Sequence, residues 1–210
     1  SGSRKRRRDS MKNSGAREVI VGVTGSIACY RACDLVSQLR KEPGITVHVV
    51  MTPEATRFVT PLTFQTLSGN RVFADLFDAP EEWDLLHTSL SARADLVVVC
   101  PATLNLLSKL AHGICDDLLM CVLLAVQAPV LLAPAMNVRM FRHPVNQENL
   151  ARLKKMGYEF VGPVYGEMAC GEEGVGHIAD TEAILAAIRG KLHRGESQKS
   201  KGKSQKKRVE

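Results

Sequence analysis

The sequence predicts an α/β protein in which a parallel sheet is covered on both faces by helices. Two observations carry this expectation. Four short runs rich in Val, Ile and Leu recur at residues 19–23, 46–51, 95–100 and 129–133, and apolar residues at helical spacing fill intervals between them. The last two runs are apolar at almost every position, which suits strands buried on both faces, as in parallel sheets.

The elements follow in order. Val19-Ile20-Val21-Gly22-Val23 is a β-branched strand that stops at Thr24-Gly25-Ser26, where turn and capping residues cluster. A helix is expected over Ile27–Lys41, because Ala28, Ala32, Leu35, Val36 and Leu39 recur at three- and four-residue steps, and Pro43-Gly44 ends it. Thr46–Met51 is the second strand. Thr52-Pro53 then reads as an N-cap with proline at the first helical position, so a helix should start there. Asp95–Cys100 and Pro129–Ala133 are further strands, and Tyr158–Val161 fits a last one. Helical stretches are expected at 104–111, 117–126, 146–156 and 181–192. The alternation makes a three-layer doubly wound parallel sheet, Rossmann- or flavodoxin-like. Ligands in such sheets bind beyond the carboxyl ends of the strands, so function belongs in the loops after Val23, Met51, Cys100 and Ala133.

The 210 residues suit one domain, expected over 18–192 between disordered basic tails at 1–17 and 193–210. The net charge of +6 lies wholly in the ends. Residues 1–17 carry seven Lys/Arg against one Asp, and residues 191–210 carry eight against two Glu. What remains holds 13 basic and 19 acidic groups, so the folded part is acidic and argues against a nucleic-acid partner. No apolar stretch of membrane-spanning length occurs, and no secretory leader is expected. Six cysteines without such a leader suit reduced thiols and a cytoplasmic location. Cys29 and Cys33 sit one helical turn apart, which is not a paired zinc spacing, so no metal site is expected.

Gly22-x-x-Gly25-Ser26 follows the first strand and opens a helix, offering backbone N–H groups and a hydroxyl to a phosphate. The turn is shorter than a dinucleotide fingerprint and suits a single terminal phosphate. After the third long strand comes Pro101-Ala102-Thr103-Leu104-Asn105, followed by Lys109 to Leu119; after the fourth comes Pro134-Ala135-Met136-Asn137-x-x-Met140.

These stretches, with Thr60–Phe64, Asn70-Arg71-Val72, Leu86-His87 and Ala169-Cys170-Gly171, resemble the homo-oligomeric flavin-containing cysteine decarboxylase family. Within it they are most similar to members that decarboxylate 4'-phosphopantothenoylcysteine to 4'-phosphopantetheine in coenzyme A biosynthesis. The resemblance runs from about Val19 to Leu192. It implies FMN held by Gly25, Ser26, Thr52, Thr103, Asn105 and Ala135. The family's Ser-Ala-Asn-Thr is Thr103-Leu104-Asn105-Leu106 here, so Leu106 has no hydroxyl to offer the flavin. Thr52 also has the reading of an N-cap, and Asn105 that of a loop-stabilising residue.

The resemblance further implies that His87 and Cys170 are catalytic and that Asn137 and Ala169 bind substrate. A neutral imidazole can take a thiol proton near pH 7. A fixed amide can hold a carboxylate without adding charge that resists its departure as CO2, and Asn137 also has the reading of a helix N-cap. Cys170 would donate a proton from a glycine-rich segment, Pro163–Gly176, that reads as a mobile lid. The implied route oxidises the thiol to a thioaldehyde, whose C=S accepts the electron pair as CO2 leaves, giving an enethiolate. Two alternatives share the motifs: a peptidyl-cysteine decarboxylase and a flavin-binding regulator that inhibits a phosphatase. The implied assembly is a homotrimer or a dodecamer of trimers, and the implied partners are a small thiol acid and a separate phosphopantothenoylcysteine synthetase.

Overall fold

The computed structural model describes residues 15–76, 86–169 and 171–206, the side chains of Leu86, His87 and residues 194–206 excepted. The basic segment 1–14, the segment 77–85 and Cys170 lie outside the described residues.

Six strands form one parallel sheet: β1 (Arg17–Val23), β2 (Ile45–Met51), β3 (Val72–Phe73), β4 (Leu96–Ala102), β5 (Val130–Pro134) and β6 (Glu159–Phe160). Their order is β3-β2-β1-β4-β5-β6, so the winding direction reverses between β1 and β4. The doubly wound expectation holds, and the switch point where ligands collect in such sheets lies at the β1/β4 seam.

Alternation along the strands sends side chains to two cores. Val19, Val21 and Val23 face one side, with Leu96, Val98 and Cys100. They pack on α1 (Cys29–Leu39), on Phe64 of α2 (Pro61–Ser68), and on Ile184, Leu185 and Ile188 of α8 (Thr181–Lys206). Ile20, Val97 and Val99 face the other side. They meet α4 (Leu104–His112), α5 (Leu118–Ala125), α7 (Pro144–Lys155) and Leu90 of α3 (Leu86–Arg93). Residues two apart on a strand share a face, and both faces are dry, which is why β4 reads as a continuous apolar run.

Four expectations are corrected. The helix foreseen from Pro53 is a single 3-10 turn, Ala55–Arg57, and the real helix, α2, begins at Pro61. The second proline explains this, since the residue before a proline is driven to extended backbone, and Thr60 sits at φ −73°, ψ 148°. Helix α1 starts at Cys29 rather than Ile27, because the Ala28 N–H donates to the Ser26 hydroxyl in a tight turn. The glycine-rich segment, expected to be a loop acting as a lid, holds a hairpin of β7 (Val164–Glu167) and β8 (Glu173–His177), with Gly166 facing Gly174. Finally, the helix expected over 181–192 runs on as α8 to Lys206. A helix already nucleated adds one hydrogen bond for each further residue, so it can extend through a continuation that holds Gly195 and Gly202.

Candidate functional site

Four loops meet at the carboxyl edge of the sheet, and hydrogen bonds stitch them together in strand order. The Thr52 N–H donates to the Val23 carbonyl at 2.9 Å, tying the loop after β2 to β1. Thr24, buried beneath the site, donates its hydroxyl to the Pro101 carbonyl at 2.7 Å and accepts from the Thr103 N–H at 3.2 Å, joining the loops after β1 and β4. The Ala135 N–H donates to the Ala102 carbonyl at 3.2 Å, joining the loops after β4 and β5. These bonds satisfy backbone groups left over where the strands end, so the loop cluster is held by the same bookkeeping that builds the sheet.

The loops enclose a cavity of about 350 Å³, within the range of small-molecule sites. All six residues assigned to the cofactor line it: Gly25, Ser26, Thr52, Thr103, Asn105 and Ala135. Gly25 is required by close approach, because a Cβ there would stand 2.4 Å from the Glu54 Cβ. Thr52 also accepts from the Ala55 N–H at 3.4 Å and so caps the 3-10 turn, while the Thr103 hydroxyl accepts from the Leu106 N–H and caps α4. Both readings of Thr52, pocket lining and cap, therefore hold together. Leu106 lines the cavity with Leu104, Met136 and Met140, which add apolar surface beside the hydroxyls.

Sequence reasoning passed over Thr24, Glu54, Lys109 and Asp117, which also line the cavity. Lys109 pairs with Asp116 at 2.8 Å, and that hydrogen bond raises the lysine and lowers the carboxyl. Asp117 caps α5 by accepting from the Met120 N–H at 2.8 Å; burial pushes its carboxyl up despite that bond. Their signal lay in the motif Lys109–Leu119, where the charges follow a helix that opens at the site.

Asn137 stands just beyond Met136 and caps the short helix α6 (Val138–Arg142), its Oδ1 accepting from the Arg139 N–H at 2.7 Å. Its Nδ2 donates to Glu172 of the hairpin at 2.8 Å. The amide thus caps α6 through its oxygen and bonds the hairpin through its nitrogen. The hairpin docks against this segment: the Met136 N–H donates to the Gly176 carbonyl at 3.0 Å, and a Cβ on Gly176 would stand 2.3 Å from the Met136 carbonyl oxygen. Ala169 lies exposed at the hairpin turn and is not among the residues lining the cavity. His87 is the second residue of α3, its side chain outside the described part, as is the whole of Cys170. His48 pairs with Glu18 on the sheet and takes no part in the site.

Burial pushes Cys100 up to about 12 and raises Cys29, whose Sγ donates to the Thr24 carbonyl.

Comparison with known proteins agrees with this geometry. The flavoprotein family model matches residues 7–193. A probable phosphopantothenoylcysteine decarboxylase of Streptococcus mutans is 40% identical over 178 residues, covering 84% of this chain and 99% of that protein. The bifunctional coenzyme A biosynthesis protein CoaBC of Bacillus subtilis is 46% identical over 169 residues, 80% of this chain but only 41% of that protein. The chain thus spans less than half the length of the bifunctional relatives it matches. Among solved structures, a PPC decarboxylase mutant complexed with pantothenoylaminoethenethiol superimposes with a TM-score of 0.75 at 28% identity, over 83% of this chain and 97% of that one. The FMN-dependent cysteine decarboxylase SpaF does so with a TM-score of 0.70 at 30% identity, over 83% and 98%. A doubly wound sheet with its cavity at the switch point, matched by the family model over nearly its whole length, makes this chain a member of the flavoprotein family.

Proposed function

We propose that the chain binds FMN and decarboxylates 4'-phosphopantothenoylcysteine to 4'-phosphopantetheine. One observation carries the reading: six residues scattered between positions 25 and 135 line one cavity, and the amide of Asn137 is fixed directly beside it. The lining fits a flavin mononucleotide in kind. The Gly25-Ser26 turn offers N–H groups and a hydroxyl suited to a phosphate, Leu104, Leu106, Met136 and Met140 suit the faces of a ring system, and Asn105 suits its polar edge. When bound, FMN supplies the two-electron exchange that makes an electron sink of the carbon bearing sulfur.

The chain's own groups do the rest. Asn137 orients the carboxylate with a neutral donor, so departing CO2 leaves no ion pair to break. His87 takes the thiol proton, and Cys170 returns a proton to the product carbon. Ala169, beside Cys170, supports the substrate through the hairpin backbone. The named relatives support this substrate over a peptide ending in cysteine. We further propose a cytoplasmic homo-oligomer, a trimer or a dodecamer of trimers, supplied by a synthetase. Exposed Ile27 and Tyr30 at the start of α1, and Phe58 and Leu62 around the start of α2, support self-association.

The test is direct. FMN-loaded protein incubated with 4'-phosphopantothenoylcysteine should release CO2 and 4'-phosphopantetheine, detected by mass, while a peptide with a carboxy-terminal cysteine should not react. Turnover of the peptide alone, or of neither, overturns the proposal.

A further inference from the structure

The contacts of Asn137 fix which way its amide faces. Because Oδ1 accepts the Arg139 N–H at 2.7 Å, the flipped amide is excluded, and Nδ2 is the atom turned to the hairpin. There it donates to one carboxylate oxygen of Glu172 at 2.8 Å, and the other oxygen pairs with the Arg139 guanidinium at 2.8 Å. Glu172 is held for this role by its backbone, whose carbonyl accepts the Met168 N–H at 2.9 Å across the hairpin turn. A carboxylate of the chain itself therefore occupies the amide that the reading above assigns to the carboxylate of the substrate.

We propose that Glu172 is a specificity-determining residue: an internal competitor that the substrate carboxylate displaces from Asn137, and that returns to the amide once that carboxylate has left as CO2. The inference rests on the substrate reading above. Two carboxylates brought to one neutral amide repel each other, and this repulsion favours the arrangement in which Glu172 swings away as a carboxylated ligand binds. The geometry permits it, since Glu172 is about one third exposed and its partner Arg139 is 85% exposed and can follow it into water. A decarboxylated ligand has nothing to put in place of Glu172. The competitor thus lowers affinity for substrate while leaving affinity for product untouched, and its return after CO2 loss separates the two states of the site.

The size of the effect follows from what is exchanged. A charge-assisted hydrogen bond at a partly exposed site, discounted for screening, corresponds to about threefold to tenfold in affinity. The probes are the S-methyl thioethers of 4'-phosphopantothenoylcysteine and of 4'-phosphopantetheine, which have no thiol to oxidise and so bind without turnover. Calorimetry on FMN-loaded protein should show Glu172→Ala binding the carboxylated thioether about threefold to tenfold more tightly than wild type, with the decarboxylated thioether unchanged. Glu172→Gln, which keeps the acceptor but removes the charge, should fall between. Equal shifts for both thioethers, weaker binding of the carboxylated one, or loss of FMN from Glu172→Gln would show Glu172 to be a support of the site and overturn the proposal. Wild-type protein that binds neither thioether contradicts the substrate reading itself, and both fall.

Discussion

Thr24→Val tests whether the site is held together at the switch point. The substitution keeps the volume and removes the hydroxyl, which lies buried and joins the Pro101 carbonyl to the Thr103 N–H. Two backbone groups at the ends of neighbouring loops then lose their partner. The Pro101 carbonyl is buried and carries the larger penalty; the Thr103 N–H is partly exposed and recovers some of its bonding from water. Together they should destabilise the protein by about 2–3 kcal/mol. For a domain of this size that corresponds to a fall in Tm of about 4–12 °C. Thr24→Ser keeps the hydroxyl and loses only a methyl group, at about 1 kcal/mol. Thermal unfolding by circular dichroism, with flavin affinity measured alongside, separates the cases: Val should lose both stability and flavin binding, Ser little of either. Val and Ser unfolding together, with equal flavin affinity, would refute the claim that this hydroxyl joins the loops.

Other predictions use the same reasoning. Gly25→Ala forces a Cβ to within 2.4 Å of Glu54 and should weaken flavin binding by tenfold or more, about 1.4 kcal/mol, whereas Gly190→Ala, with nothing within 4 Å, should stabilise α8 by about 1 kcal/mol; flavin titration and thermal melts read the two. Asp117 has its folded pKa raised above the unfolded value of 3.8. The folded state therefore binds more protons between the two values, and stability falls as pH rises through that window. Asp117→Asn keeps an oxygen for the Met120 N–H and should remove this slope in acid melts, while Asp117→Ala should cost about 1 kcal/mol through the lost cap. Among the described thiols, exposed Cys115 should alkylate first with iodoacetamide at pH 8; burial and the neighbouring Cys115 push Cys121 up to about 11, and burial holds Cys100 near 12. Mass mapping that finds Cys100 labelled as fast as Cys115 contradicts that ranking.

The parts of the fold that could be read from sequence are those whose burial is two-sided or periodic. β4 and β5 are apolar at nearly every position because helices cover both faces, and α1 displays its stripe from Cys29 to Leu39. The two-residue strands β3 and β6 are too short to show any period. The hairpin escaped because glycines hide a strand's alternation, and Gly174 and Gly176 are small so that β8 can lie against Val138 and Met136. The residues that line the cavity were legible through motifs that follow the strands. Their stitching was not, since Thr24 and Pro101 are 77 residues apart and only strand order brings them together. Glu172 escaped for the same reason, being 35 residues from the amide it occupies.

The central claim is that four loops form one flavin site. Purified protein, stripped of any flavin and titrated with FMN, should quench flavin fluorescence to saturation at one FMN per chain, with affinity lost in Asn105→Ala and Gly25→Ala together. Protein that leaves FMN fluorescence unchanged, or variants that bind it as wild type does, would contradict the account.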